Sequence, residues 1–398
     1  MARHGWRHIQ AAGLATVAGC LGMVVSQTAQ AQFPTADAPA GYLVFPKVVV
    51  DTTSPDGVKT DTEIQLTNVS TLATRLVHCF YVDGDTWEPI NANILLTLGQ
   101  PTGWRASEGL RISDPNVDGY PTFVPPVGGS GRFVGELKCF QVNDLDTPIP
   151  VLAQDIKGEA TIIRVTTGPS GGVDTSAYNA IGFQPVTVSP TEPPATVPLK
   201  CQGGTNPGTT PCDQTTCTGG GTCGATICLG ATANSPECAT ATHAGCPSTL
   251  VLNNFFDYAN DPVTGKEIRT RVTFVPCTED LTEPGPAQPS TMIQFLVFNE
   301  FEQRMSSSTR VQCYREVQLS NIDTRPGNEA GSVFNVNVQG TLAGQVRMRP
   351  VLGPATETSV GHGILAIAEE FHGTGSVAFN LNDQGRNSSK GDFVRYLP

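Results

Sequence analysis

One acidic loop places three carboxylates beside a tryptophan. Its residues are Asp83, Asp85, Trp87 and Glu88, in the string Asp-Gly-Asp-Thr-Trp-Glu. Carboxylates accept hydrogen bonds from hydroxyl groups, and an indole ring can stack on the apolar face of a sugar. The loop is therefore a candidate glycan-binding site. An acidic, solvated turn whose tryptophan folds back onto the protein is the more usual structure for such a string.

A second acidic string has the spacing of a calcium loop. Asp114, Asn116 and Asp118 stand at alternate positions, and Gly119 follows them. Oxygens at such positions converge on the ion in a calcium loop, where the glycine permits a sharp turn. The twelfth position is Pro125 instead of the bidentate glutamate of an EF-hand. Calcium is thus the one cofactor that the sequence suggests, and a turn closed by its own hydrogen bonds is the alternative.

The remaining motifs give only weak evidence for catalysis. Ser170 lies in a Gly-x-Ser-x-Gly string, but the helix that would follow a nucleophile elbow is not indicated. Glu370 and His372 share one face of a predicted strand and supply only half of a metal site, because no second histidine stands at ligand spacing. We assign no catalytic residue, and the sequence favours a protein that is not an enzyme.

The N-terminal residues predict export. A basic start is followed by the apolar stretch Ala11–Val25 and then by Ala29-Gln-Ala31, which is typical of a signal peptide over residues 1–31. Residues 32–40 would form an N-terminal extension of a secreted or periplasmic protein. The string ending at Cys20 resembles a lipobox, so an outer-membrane lipoprotein anchored through Cys20 is the alternative.

Composition excludes one class of partner and favours one fold class. The net charge is −12, with 24 basic and 36 acidic residues, and no basic run could follow a phosphate backbone. We therefore expect no nucleic acid partner. The chain contains 42 glycines and 31 prolines but only 15% charged residues. Long surface helices avoid glycine and proline and need charged residues on their exposed face. The fold is therefore predicted to be all-β.

The cysteines also agree with an oxidising compartment. Eleven follow Cys20, and seven of them lie between Cys201 and Cys246. We predict one disulfide in each half of the chain, Cys79 with Cys139 and Cys277 with Cys313. Three bridges within the 201–246 segment would leave one odd cysteine there. That cysteine could link two molecules into a dimer or tether the protein to another envelope component.

Four short strings recur in the same order in the two halves of the chain. The matched strings are Leu43–Lys47 with Thr273–Cys277, Thr62–Phe80 with Thr291–Tyr314, Gly158–Ile162 with Gly363–Ile367, and Ala177–Ala180 with Ala378–Leu381. Their alternation of polar and apolar residues is typical of half-buried strands. The sequence therefore predicts two tandem immunoglobulin-like β-sandwich domains related by internal duplication, over 41–183 and 250–398. A Pro-rich linker and a Cys/Gly/Thr-rich insertion occupy 184–249.

These observations favour an exported, non-catalytic structural or binding protein of the bacterial cell envelope or extracellular space. Its partner would be an envelope or extracellular protein or a glycan. A secreted glycan hydrolase remains an alternative, because its two carboxylates come from distant strands and leave no local motif. A calcium-assisted glycan-binding module is a further alternative.

Overall fold

The computed structural model describes residues 36–111, 122–127, 131–142, 153–168, 171–183, 200–202, 222–224, 247, 249–277, 290–351 and 363–383. Nearly all regular structure in these ranges is antiparallel β-sheet, so the all-β fold class is confirmed. The described helices are single turns, namely two 3₁₀ turns at Leu319–Asn321 and Glu329–Gly331 and the α-helix α1 (Val336–Gln339). No described helix has the length and apolar character that crossing a bilayer requires.

The first half of the chain forms a sandwich-like arrangement, here called the first sandwich. Its strands are β1 (Tyr42–Asp51), β2 (Val58–Asn68), β3 (Arg75–Asp83), β4 (Pro89–Leu96), β5 (Pro101–Arg105), β6 (Leu110–Arg111), β7 (Thr122–Phe123), β8 (Arg132–Val142), β9 (Ile156–Thr166), β10 (Val173–Asn179) and β11 (Ile181–Phe183). The main sheet runs β10-β9-β2-β1-β8-β3-β4, with β5 on β2 and β11 on β1. Strands β6 and β7 form a separate pair.

The main sheet of the first sandwich folds into two layers at β1 and β2, whose described pairing is Asp51 with Thr60. One layer is β11-β1-β8-β3-β4 and the other is β5-β2-β9-β10. Strand β2 shows the expected period of two, with Ile64 and Leu66 buried on either side of exposed Gln65. Both layers contribute to one apolar core, in which the Trp104 Nε1 group donates to the Tyr81 hydroxyl at 2.7 Å.

The predicted Cys79–Cys139 disulfide is present in this core. The two cysteines face each other directly across β3 and β8, with Cα atoms 4.1 Å apart. The bridge therefore joins neighbouring strands of one layer. Its closed loop of 60 residues still restricts the unfolded chain, since the entropy of a loop depends on its length.

The second half of the chain forms the second sandwich. Two short strands, β12 (Lys200–Gln202) and β13 (Thr222–Gly224), precede it as a separate pair. Its own strands are β14 (Leu250–Phe255), β15 (Ala259–Asn260), β16 (Glu267–Cys277), β17 (Ser290–Asn299), β18 (Arg304–Gln312), β19 (Arg315–Gln318), β20 (Gly344–Val351), β21 (Gly363–His372), β22 (Gly375–Asn380) and β23 (Asn382–Asp383). One sheet runs β18-β17-β20-β14-β23 and the other β15-β16-β21-β22, with β19 on β16. A second apolar core lies between these sheets.

The two sandwiches have the same order of strands in their sheets. The layer β11-β1-β8-β3-β4 matches β23-β14-β20-β17-β18, and β5-β2-β9-β10 matches β19-β16-β21-β22. The strings that begin at Gly158 and Gly363 lie on equivalent strands, β9 and β21. The strings that contain Ala177 and Ala378 also do so, on β10 and β22.

The other matched strings are offset by one strand, so that part of the prediction is wrong. Pro46 lies on β1, whereas Pro276 lies on β16, the equivalent of β2. Cys79 lies on β3, but Cys313 lies in the turn between β18 and β19. Short alternating strings fit any half-buried strand, so they do not fix which strand matches which.

A third apolar cluster joins the two sandwiches. The outer face of β1, β3, β8 and β11 supplies most of its residues, and Cys277, Cys313 and Leu365 of the second sandwich pack against them. Ile367 and Ala378 of the second sandwich also reach the first apolar core. The described residues from 36 onward accordingly belong to one compact unit.

Candidate functional site

The acidic loop predicted to bind a ligand forms the turn between β3 and β4. The Asp83 Oδ1 atom accepts the backbone N–H groups of Asp85 at 2.9 Å and Thr86 at 2.7 Å. This arrangement is an Asx turn, in which the side chain closes its own loop. One oxygen of Asp83 is therefore already occupied, whereas the side chains of Asp85 and Glu88 are exposed.

Trp87 does not offer the exposed ring that a sugar-stacking site requires. Its side chain is only 6% exposed, and its φ of +65° turns the chain inward. The ring belongs to the third apolar cluster and lies 5.1 Å from the Lys138 Nζ atom. The alternative interpretation, a tryptophan folded back onto the protein, describes this loop better than a sugar-stacking platform does.

The loop also contacts the second sandwich. The Gly84 N–H group donates to the Val134 carbonyl at 2.8 Å, which holds the loop against β8. A Cβ atom at Gly84 would lie 2.7 Å from the Tyr314 Cβ atom, closer than carbon atoms normally approach. Glycine is thus required for close packing here. The structure makes this loop part of the contact between the sandwiches.

A buried ion pair lies beneath Trp87. The Lys138 Nζ atom lies 2.8 Å from the Glu136 Oε1 atom, and the two side chains are 1% and 2% exposed. Beyond this ion pair, neither charged group has a hydrogen bond partner in the described part of the chain. Burial raises the pKa of Glu136, and the nearby Lys138 charge opposes that rise.

Cys313 is a free, buried thiol in the same cluster. Burial raises its pKa to about 11, and the charges of Glu136 and Asp83 act in the same direction. Cys277 is disulfide-bonded, but not to Cys313, so the predicted Cys277–Cys313 bridge is wrong. Spacing alone cannot select one partner among eleven cysteines. Because Cys313 is itself unpaired, the odd number of cysteines after Cys20 no longer requires an unpaired cysteine in the 201–246 segment.

Several predicted features lie outside the described residues. They are the leader 1–31 with Cys20, the calcium string Asp114, Asn116 and Asp118, Ser170, and most of 184–249. Within the described residues, no group of three or more His, Cys, Asp or Glu side chains is arranged to hold a metal ion.

An ionic cluster that the sequence did not predict lies between the sandwiches. At its centre Lys47 of β1 is 1% exposed, and its Nζ atom lies 2.5 Å from Glu369 of β21 and 2.9 Å from Glu316 of β19. The pairing of β1 with β8 shifts register between Phe45 and Val48, which is a β-bulge at Pro46 and Lys47. Proline is tolerated at a bulge because it lacks an N–H group, and a bulge re-aims a side chain. The bulge thus directs Lys47 toward the second sandwich.

Two arginines complete this cluster. Arg164 of β9 pairs with Glu369 and lies 3.6 Å from Asp174, while Arg271 of β16 lies 2.7 Å from Glu316. Each guanidinium carbon lies 5.0 Å from the centroid of the Phe371 ring, within the range of a cation–π contact. The inter-sandwich ionic cluster therefore comprises three cations, Lys47, Arg164 and Arg271, and three anions, Asp174, Glu316 and Glu369.

The electrostatics of the cluster keep Glu316 charged. Burial alone would raise the pKa of Glu316, but Lys47 and Arg271 lower it to about 2. Tyr178 accepts the Lys47 N–H group at 3.2 Å and donates to the Lys47 carbonyl, and its burial raises its pKa. The backbone at the bulge is therefore satisfied by a side chain instead of by a strand. A charged residue inside an apolar run, as at Lys47, was the only sequence signal of this cluster.

The edge hairpins of the two sandwiches meet next to the ionic cluster. Asp174 of β10 accepts hydrogen bonds from the Ser376 N–H group at 2.9 Å and the Ser376 hydroxyl at 2.5 Å. The Asn380 side chain accepts the Asn179 N–H group at 3.2 Å and donates to the Asn179 carbonyl at 2.8 Å. Strands β10 and β22 thereby cover edges that would otherwise be open to pairing.

His372, which sequence spacing placed beside Glu370, has two carboxylate neighbours. Its Nε2 atom lies 2.6 Å from Glu370 Oε1, and its Nδ1 atom lies 3.1 Å from Asp261 Oδ2. The hydrogen bond to Glu370, followed by that to Asp261, raises the pKa of His372. Both ring nitrogens act as donors in a protonated histidine, so the arrangement is an ion pair more than a metal site.

Comparisons with known proteins give no family. No family model matches the chain, and no curated protein matches it. A crystal structure of protein 1070 from Thermotoga maritima aligns at 10% identity and a TM-score of 0.21, covering 36% of this chain and 95% of that one. The tandem CBM22 domains of Xyn10C from Paenibacillus barcinonensis align at 8% identity and a TM-score of 0.18, covering 84% and 85%. These scores are too low to indicate a shared fold.

Proposed function

We propose that this chain is an exported, non-catalytic structural or binding protein of the bacterial cell envelope or extracellular space. In this proposal two immunoglobulin-like sandwiches act as one rigid body. Its partner is an envelope or extracellular protein or a glycan, and its work is to hold binding surfaces at a fixed separation.

The ionic cluster between the sandwiches is the observation that carries this proposal. It contains three cations and three anions, three of its ion pairs cross the contact (Lys47 with Glu316, and Lys47 and Arg164 with Glu369), and Lys47 and Glu369 are each about 1% exposed. Opening the contact would expose the third apolar cluster and separate these pairs. A hinged enzyme needs the opposite arrangement, a cleft that opens to admit substrate. The observed contact favours a rigid spacer.

Internal duplication is part of the same proposal. The shared strand order of the two sandwiches supports it, as do the two matched strings on equivalent strands. A duplicated sandwich supplies two similar units with their edges at fixed positions. This arrangement suits repeated binding along an extended partner better than chemistry at a single centre.

Export and the absence of turnover are tested together. Cells producing the chain are fractionated, and the recovered protein is measured by intact mass and incubated with peptidoglycan and xylan. We expect a mature N-terminus at Gln32, co-sedimentation with envelope material and no release of reducing sugar. Retention in the cytoplasm would contradict export. Reducing sugar released by the protein, and lost in an Asp83→Asn/Glu88→Gln variant, would contradict the non-catalytic role and support the glycan hydrolase.

A further inference from the structure

One outer face of the second sandwich is basic, in contrast to the chain as a whole. Strands β14, β17, β18 and β20 contain four arginines and no other charged residue, whereas the net charge of the chain is −12. Arg304 and Arg310 of β18 and Arg347 and Arg349 of β20 all pair with alternate residues of β17. The residues of β17 between those partners, such as Phe295, lie in the second core. Since paired residues of a sheet point to the same side, the four arginines point away from the core.

Three of the four arginines are not paired with a carboxylate in the part of the chain that the structure describes. They are Arg304, Arg347 and Arg349, whereas Arg310 donates to the Ser290 hydroxyl at 3.3 Å. Five arginines on other strands do pair with carboxylates, namely Arg75, Arg132, Arg164, Arg269 and Arg271. The contact between the sandwiches uses the opposite sheet and the β18–β19 turn, so it does not neutralise this face. The unbalanced positive charge attracts an anion.

An apolar row on β17 runs between the two strands that carry the arginines. Met292, Leu296 and Phe298 are half-buried, and the row from the first to the last is about 20 Å long at the rise of an antiparallel strand. The exposed polar side chains within and beside the row are Gln294, Ser306 and Ser308. The apolar row and the unpaired arginines are here called the arginine face, which comprises Met292, Leu296, Phe298, Arg304, Arg347 and Arg349.

We propose that the arginine face binds a linear acidic polysaccharide whose sugars carry carboxylates. Guanidinium groups bind carboxylates through two parallel hydrogen bonds, while the serine hydroxyls and the glutamine amide suit sugar hydroxyls. The apolar row offers a surface to the C–H faces of the sugar rings. The face thus lines up the three kinds of group that such a polymer presents along its length. This inference rests on the proposed binding role, because it names the chemistry of the partner.

Other anionic partners fit the arginine face less well. A bilayer or a folded protein would contact a broad area, but the apolar row is one strand wide. A nucleic acid strand requires rings that are open for base stacking, whereas the Arg347 guanidinium lies 5.4 Å over the Phe298 ring. An extended acidic peptide would pair with the backbone at a strand edge, and this face offers side chains. Glu300 and Glu302 in the β17–β18 turn limit the face at one end.

The test is isothermal titration calorimetry of the exported protein with polygalacturonate, and the fully methyl-esterified polymer serves as the neutral comparison. We expect only polygalacturonate to bind, and its affinity to fall between about 0.05 M and about 0.5 M NaCl, because salt screens charges. Arg304→Gln/Arg349→Gln removes two exposed arginines from opposite sides of the apolar row. A hydrogen bond to a charged group changes an equilibrium by about tenfold or more, so the affinity should fall at least tenfold.

The matched control is Arg105→Gln/Arg325→Gln, which makes the same change in net charge at two exposed arginines outside the arginine face. It should bind within about twofold of the parent, and both variants should keep the parent melting temperature. No binding by the parent, equal binding of the esterified polymer, an equal loss in the control, or equal affinity for polyglutamate would overturn the proposal. Shortening of the polygalacturonate by the parent would instead contradict the non-catalytic function, so the two failures are distinguishable.

Discussion

Lys47 and Glu369 carry opposite charges at about 1% exposure each, in strands whose other buried residues are apolar. Moving either group out of water alone would cost several kcal/mol. The cost is offset because every charge has at least one opposite partner and Tyr178 satisfies the local backbone. A buried ion pair of this kind adds little net stability, but removing one of its two members strongly destabilises the protein. At the scale of single residues, the buried ion pairs therefore determine which surfaces of the two sandwiches fit together more than they stabilise the contact.

Removing one anion should show this intolerance. Glu369→Gln leaves Lys47 with Glu316 and Arg164 with Asp174 but gives the buried cluster one uncompensated positive charge, so it should lower the free energy of unfolding by about 3–5 kcal/mol. Urea denaturation measures this change. The control is Asp51→Asn, which breaks a pair with Arg132, whose side chain is 52% exposed, and should cost less than about 1 kcal/mol. Equal effects of the two substitutions would contradict the account.

The Lys138–Glu136 pair should respond differently to single and double replacement. Lys138→Met alone leaves Glu136 unpaired in the third apolar cluster and should destabilise the protein by about 3–5 kcal/mol. Lys138→Met/Glu136→Leu places apolar side chains among Phe80, Phe140 and Trp87 and should be neutral or stabilising. Urea midpoints of the three proteins decide the point. A double variant as unstable as the single variant would show that the pair has another role.

At the scale of elements, two local features position the contact. The bulge at Pro46 and Lys47 turns one side chain of β1 toward the second sandwich, while Phe45 and Val48 remain in the first core. The β3–β4 loop closes on itself through Asp83 and brings Gly84 against Tyr314. Neither feature is part of the regular period of two, so both break the pattern that identifies the strands.

Gly84→Ala tests the loop contact. Its added Cβ atom would lie 2.7 Å from the Tyr314 Cβ atom and 2.8 Å from the Val134 oxygen, so one sandwich must shift. Overpacking of this kind typically costs about 1–3 kcal/mol. Gly172→Ala is the control, because no atom lies within 4 Å of its added Cβ atom. A thermal melt should show a clear loss for Gly84→Ala and none for Gly172→Ala, and the reverse order would refute the contact.

His372 should make the β21–β22 hairpin sensitive to pH. Its pKa is raised in the folded protein, chiefly by Glu370, so its stabilising contribution is complete below the unfolded pKa of about 6.5. That contribution is lost as pH rises through the folded pKa. The pKa of His78 is lowered by burial and acts in the opposite sense, so the comparison must use a variant.

The measurement is the melting temperature at several values between about pH 5.5 and 8.5, for the parent and His372→Asn. The difference between the two proteins should be largest at acid pH and shrink as the pH rises. Proton NMR of the parent should give His372 an apparent pKa above that of a free histidine. A difference that grows with pH would contradict the ion pairs with Glu370 and Asp261.

At the scale of the whole molecule, the sequence predicts fold class better than it predicts the site. The period of two in β2, the turn-forming residues and the scarcity of charge correctly indicate antiparallel sheets. The Cys79–Cys139 bridge was also predicted. The matching of the two halves succeeds only in the last two strings, because alternation identifies a strand without identifying its neighbours.

The site could not be read from the sequence, for a physical reason. The members of the ionic cluster come from β1, β9, β10, β16, β19 and β21, so their pairing depends on how the sandwiches pack. The Asp83–Glu88 loop was found by its composition, but whether Trp87 points outward depends on a positive φ and on its packing in the third apolar cluster with Cys313, more than two hundred residues away. Long-range packing therefore determines both the pairing within the ionic cluster and the direction of the Trp87 side chain.

The most direct test of the rigid two-sandwich unit is differential scanning calorimetry of the exported protein. If the third apolar cluster and the ionic cluster join the sandwiches, both should unfold in one transition, with the calorimetric and van't Hoff enthalpies equal. Glu369→Gln should then split or broaden that transition, whereas Asp51→Asn should not. Two separate transitions in the parent protein, each with its own midpoint, would contradict the rigid body.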